Sequence, residues 1–185
     1  MKSALNLVFW GYLFVLLRFE IGIDILPDPV GYFLITLGCF GLREHYPIAQ
    51  KAGMLAIGMI FASIPTVFIN LDEVNTFGWG TYTIVLSFLK LILAYFLFSI
   101  LKAIVIDYNH TALIDRTNTV YTFYITLNLL SLAFISFSMN VSGNFWYVFG
   151  GLLLFATFIM EIVFLVLIRK IRKSEPDQVN LIIEV

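Results

Sequence analysis

Cysteine, histidine and charge are all scarce in this chain, and each shortage removes a class of function. A single cysteine, Cys39, excludes an internal disulfide and any cysteine-rich metal site; among apolar neighbours it reads as a small packing residue. The two histidines, His45 and His110, fall in polar stretches, and no H-E-x-x-H, G-x-S-x-G or phosphate-binding glycine loop is present. Asp107, His110 and Asp115 are near one another in sequence, but a short polar loop carrying them is ordinarily just solvated. The Ser142-Gly143 pair sits in a turn with no base close by in sequence. The expectation is therefore no enzyme and no cofactor. Charged residues make up only 12% of the 185 residues, against roughly one quarter in a soluble domain. In their place the chain is 61% hydrophobic, with a mean hydropathy of +0.96, more apolar surface than one soluble core would bury.

The apolar residues gather in six segments, at about 4–19, 29–42, 48–69, 79–106, 118–139 and 145–168. Together they predict an all-α fold, a polytopic transmembrane bundle of six helices over residues 1–173 with a short tail, 174–185, that is polar until Leu181-Ile182-Ile183. The first segment has the charge and apolar run of a signal peptide, but Arg18-Phe19-Glu20 stands where small residues would mark cleavage, so it reads as a retained helix. The second would rise only about 21 Å, against a hydrocarbon core of roughly 30 Å. Pro65 predicts a kink in the third. No internal repeat, linker or low-complexity stretch is visible.

Charge placement tests this count independently of hydropathy. With the N-terminus cytoplasmic, the inner loops and helix ends receive Lys2, Arg43, Lys51, Lys102, Arg116, Arg169, Lys170, Arg172 and Lys173, nine of the eleven basic residues. The outer loops receive Glu20, Asp24, Asp28, Asp72 and Glu73 and no Lys or Arg. Both termini are accordingly expected in the cytoplasm. The cluster Arg169-Lys170-Ile171-Arg172-Lys173 lies just inside a helix end, where anionic lipid headgroups rather than nucleic acid are the expected contact.

The turn Asp24-Ile25-Leu26-Pro27-Asp28-Pro29-Val30-Gly31-Tyr32 joins the first two segments. Asp28 suits an N-cap and Pro29 the first helical position. Gly31 and Gly38 share a face with Gly41 at its margin, a smooth seam for close helix approach. Arg18 is placed to pair with Asp24 or Asp28, and those carboxylates could also bind a cation or substrate at the outer face. Preceded by Trp10-Gly11-Tyr12-Leu13-Phe14-Val15, this stretch resembles an uncharacterised family of small bacterial multi-pass membrane proteins. That family shares an aromatic-Gly first helix followed by Leu-Pro-Asp-x-x-Gly-Tyr. The resemblance covers roughly the first 42 residues; it implies an integral protein of a bacterial plasma membrane and supplies no activity.

Ionisable groups inside the membrane are the default functional candidates. Lys90 shares a face of the fourth segment with Thr83, Ser87 and Ala94, a stripe expected to face protein or water. Glu161 shares a face of the sixth with Gly150 and Thr157, and Asn128 lines up with Tyr121, Tyr124 and Ser131 on the fifth. Lys90 and Glu161 are expected to pair inside the bundle with Asn128 close by, either joining helices or lining a substrate or proton path. Glu161 could instead reach toward the cytoplasm. Two function classes follow. One is a structural or interaction bundle that meets other membrane proteins through small-residue seams such as Ala52-x-x-x-Ala56 and Gly58-x-x-x-Ala62. The other is a transport or substrate-binding subunit, similar in size and topology to the substrate-binding subunits of energy-coupling-factor transporters. Those dock through Ala-x-x-x-Ala on their first helix, whereas here that spacing is on the third.

Overall fold

The computed structural model describes residues 1–17, 20–21, 23–24, 28–68, 77–138 and 144–174. Six helices account for nearly all of them: α1 (Lys2–Leu16), α2 (Asp28–Leu42), α3 (Ile48–Phe68), α4 (Phe77–Asp107), α5 (Thr111–Ser138) and α6 (Asn144–Lys173). Between α1 and α2, two short antiparallel strands, β1 (Glu20–Ile21) and β2 (Ile23–Asp24), set Glu20 opposite Asp24. The fold is an all-α bundle. Helices α3, α4, α5 and α6 are each long and apolar enough to cross a membrane. Helices α1 and α2 have 15 residues each, a rise of about 22 Å.

Each helix packs on the next in sequence, and α6 returns to pack on α1, closing a ring. The tightest crossing is between the two short helices. A Cβ on Gly11 would lie 2.5 Å from the carbonyl oxygen of Gly31 and 2.8 Å from the amide nitrogen of Ile35, and one on Gly38 would lie 2.7 Å from the carbonyl oxygen of Ala4. The glycine face of α2 is thus filled by the backbone of α1. The small residues Ala49, Ala52 and Ala56 of α3 are likewise fully buried within the chain.

Polar contacts gather the start of α1, the α2–α3 and α4–α5 turns and the end of α6 at one end of the bundle. The Arg172 guanidinium donates to the side-chain oxygen of Asn6 and lies 5.8 Å from the centre of the Phe9 ring. The Tyr46 hydroxyl donates to Asp107 Oδ2 at 2.7 Å, pinning the α2–α3 turn to the end of α4. At the other end, the Tyr82 hydroxyl donates to the carbonyl of Ala62, tying α4 to α3 near Pro65, which α3 accommodates without ending. Tyr46→Phe removes a hydrogen bond to a carboxylate, and thermal unfolding in detergent is expected to report a loss of about 1 kcal/mol.

Burial divides the long helices at the level of Lys90 and Glu161. Among the residues whose burial is described, those buried in α4 lie from Leu91 onward, and in α5 none follows Tyr124. In α6, among the residues whose burial is described, only Gly150 and Leu153 are buried before Glu161. Beyond that level, Phe137, Leu152, Leu154 and Phe155 are each 64–67% exposed. An apolar surface of this extent would be a liability in water and is ordinary against lipid. Composition, helix length and surface therefore agree on a membrane protein.

Helix ends differ from hydropathy in three places, one of them α6, which runs to Lys173 rather than ending near Ile168. Helix α1 stops at Leu16 rather than near Phe19, and α5 starts at Thr111 rather than near Asn118. Asn109 takes a positive φ of 52° and the His110 carbonyl accepts the amides of Leu113 and Ile114, so residues 111–117, in which Asp115 and Arg116 lower the hydropathy, form two helical turns that hydropathy does not register.

Candidate functional site

Glu161 is the side chain around which four helices meet. It is buried on α6, and its face carries Thr157 and Gly150 toward α5: the Thr157 and Ser131 hydroxyls are 3.0 Å apart, and a Cβ on Gly150 would lie 2.8 Å from the Phe134 ring. A carboxylate there must find donors within the protein. Tyr12 of α1 supplies one, its hydroxyl donating to Oε2 at 2.5 Å. Tyr124 of α5 supplies another, donating to Oε1 at 3.0 Å. Lys90 of α4 supplies the charge, with Nζ 3.4 Å from Oε1. The two tyrosine hydroxyls are themselves 2.5 Å apart, and the Lys90 ammonium lies 5.8 Å from the centre of the Tyr12 ring.

Proton counting shows what this arrangement can do chemically. The three contacts among Tyr12, Tyr124 and the carboxylate contain two hydroxyl protons when Glu161 is ionised. One contact then lacks a proton, and the cluster has room for a third if the carboxylate is protonated. Ionised, Glu161 balances Lys90; protonated, it completes the triangle of hydrogen bonds.

Toward the basic end the cluster rests on aromatic rings. Phe164 lies 4.7 Å from Tyr12 and 4.5 Å from Phe98 between ring centres, and Tyr124 packs on both, at 5.6 Å and 5.3 Å. Tyr12, Tyr124 and Phe98 are almost completely buried and Phe164 fully so, whereas the Lys90 side chain keeps 29% of its surface accessible. The cluster is closed on one side, and its cation faces the loosely packed half.

Of the residues singled out in the sequence, Lys90 and Glu161 come together. Asn128 is on the adjoining turn of α5, but its amide donates to the backbone oxygen of Tyr124 at 3.0 Å and not to the carboxylate. The polar stripe on α4 is only partly inside. Ala94 is buried, Ser87 half-buried and Thr83 exposed, with both hydroxyls donating to carbonyls one turn back. A hydroxyl satisfied this way does not need protein or water. Asp28 opens α2 with Pro29 in its first turn, and Gly31 and Tyr32 are buried at the α1–α2 crossing. Arg18, Leu26 and Pro27, and with them the expected pairing of Arg18 with Asp24 or Asp28, lie outside the described residues.

Tyr12 and Tyr124 were not expected as partners of Glu161. The available signal was that a tyrosine deep in an apolar segment must find a partner for its hydroxyl. Asp107, the first of three residues weighed as metal ligands, accepts from Tyr46, and among the described residues no three ligand-type side chains gather. Comparison of the chain with models of protein families, with curated proteins and with solved structures found no match.

Proposed function

We propose that this is a multi-pass protein of a bacterial plasma membrane, with six helices in the bilayer and both ends cytoplasmic, serving as a structural or interaction bundle and not as an enzyme. The single observation that carries the bundle reading is that Glu161 is engaged within the chain. Both of its oxygens are taken by donors of the chain itself, from three other helices. Such a cluster joins helices. The cytoplasmic assignment is supported by the basic residues of the α1 start, the α2–α3 and α4–α5 turns and the α6 end, which share one end of the bundle, as the positive-inside rule requires of an inner face. A partner would be another membrane protein. The Ala52 and Ala56 seam is spent inside the chain, whereas Gly58 has open space around it and its neighbours Met54 and Phe61 are exposed.

The accessible flank of Lys90 favours a second reading, a subunit that binds a small anionic molecule by exchanging it for Glu161. Native mass spectrometry of the chain extracted from its own membranes separates the two. The bundle reading expects a second polypeptide, or a second copy, and no retained water-soluble molecule. A retained small anion that is lost in Lys90→Gln would replace it with the binding reading.

A further inference from the structure

A cavity of about 180 Å³ opens between α4 and α5 near the basic end, with Phe98 as the wall it shares with the aromatic floor of the Glu161 cluster. Its walls include Phe98 and Tyr121, edge to face at 5.5 Å, with Tyr95 at 6.3 Å from Tyr121. Its polar lining is uneven in what it has to spare. The Ser99 and Thr117 hydroxyls are spent on carbonyls of their own helices, at 2.9 Å and 2.7 Å. The Lys102 ammonium and the Asn118 amide have no hydrogen-bond or ion-pair partner among the described residues. The lining thus offers one positive charge, neutral donors and no carboxylate.

Depth narrows the ligand further. Lys102 is five residues before the end of α4 at Asp107, about 7 to 8 Å of helical rise, which is headgroup depth for a helix that ends at the membrane surface. The same two helices carry an apolar groove of about 450 Å³ toward the other end, lined by Val85, Phe88, Leu129 and Leu132 among others. By helical geometry it is turned from the polar cavity by only about 60° around each helix. A singly charged phosphate with an alkyl chain matches this sequence of donors, aromatic walls and apolar groove.

We propose that the α4–α5 seam binds an anionic phospholipid, with its phosphodiester between Lys102 and Asn118 and an acyl chain running along the seam. This needs only that the chain resides in a bilayer, and it is independent of any role of Glu161. Basic pockets between membrane helices bind lipid headgroups by the same combination of charge and fit.

The test is native mass spectrometry of the full chain in detergent, titrated with dioleoylphosphatidylglycerol, dioleoylphosphatidylcholine or inorganic phosphate. The expected result is saturable binding of phosphatidylglycerol in preference to phosphatidylcholine, weakened about tenfold by Lys102→Gln and also weakened by Asn118→Ala. Lys51→Gln, which removes an exposed charge on α3, is expected to leave it unchanged. Asn118→Ala gives an independent reading if Lys102→Gln does not fold. Equal binding of the two lipids, loss of binding in Lys51→Gln to the same degree, or insensitivity to the seam variants would overturn the proposal. Lys102-dependent binding of inorganic phosphate without binding of phosphatidylglycerol would overturn the lipid assignment.

Discussion

Replacing Glu161 by glutamine is expected to lower the stability of the folded chain by about 3 kcal/mol, read by reversible unfolding in mixed micelles. Removing one partner of a buried ion pair typically costs about 3–5 kcal/mol, because the other charge is left uncompensated. The lower end applies because Lys90 retains accessible surface and can be partly solvated where it stands. Glutamine keeps the size of the side chain, so the loss reports charge and hydrogen bonding rather than a cavity. Tyr12→Phe, which keeps the ring against Phe164 and deletes only the hydroxyl, is expected to cost less, about 1 kcal/mol. The order of the two effects distinguishes a cluster organised around the carboxylate from one held by aromatic packing.

Gly11→Val is expected to cost at least as much, about 3 kcal/mol, or to prevent assembly of the α1–α2 pair. Its first methyl-sized atom would meet two backbone atoms of α2, at 2.5 Å and 2.8 Å, as well as the Ile35 side chain at 2.9 Å. A side chain can rotate away, but a backbone cannot, so the helices would have to separate and surrender the contacts along both. Overpacking commonly costs about 1–3 kcal/mol and more where nothing can yield. Gly58→Val makes the same chemical change in a helix where no heavy atom lies within 4 Å of the added Cβ. It is expected to stay within about 0.5 kcal/mol of the parent. The contrast in thermal unfolding removes the intrinsic cost of a β-branched residue from the comparison.

Much of this architecture was legible in sequence, and the reasons are specific. Six apolar segments gave six helices because a segment rich in Leu, Phe and Ile that is bounded by Arg43 to Pro47 or Asp107 to His110 has few alternatives to a helix. The Lys90–Glu161 pair was legible because two opposite charges in an apolar bundle, offset by about 7 to 8 Å in expected depth and within reach of an extended lysine, have strong reason to meet. The tyrosines were not, since 17% of the residues are aromatic and nothing in the pattern distinguishes Tyr12 or Tyr124 from a tyrosine that merely packs. The face formed by Gly31 and Gly38 was visible as a seam on α2. That α1 fills it, with Gly11 against Gly31 and with Ala4 and Val8 against Gly38, could not be read, because period and spacing describe one helix at a time. Thr83 and Ser87 went the other way: their polarity suggested an inward face, and local hydrogen bonds to their own helix made that unnecessary.

The most direct measurement is a double-mutant cycle between Lys90→Met and Glu161→Gln, with unfolding free energies determined in the same micelles for the parent, both single variants and the double variant. If the carboxylate and the ammonium hold α4 and α6 together, the double variant is less destabilised than the sum of the singles, with a coupling of about 2 kcal/mol. Additive losses, a coupling of zero, would contradict the claim that this pair locks the bundle.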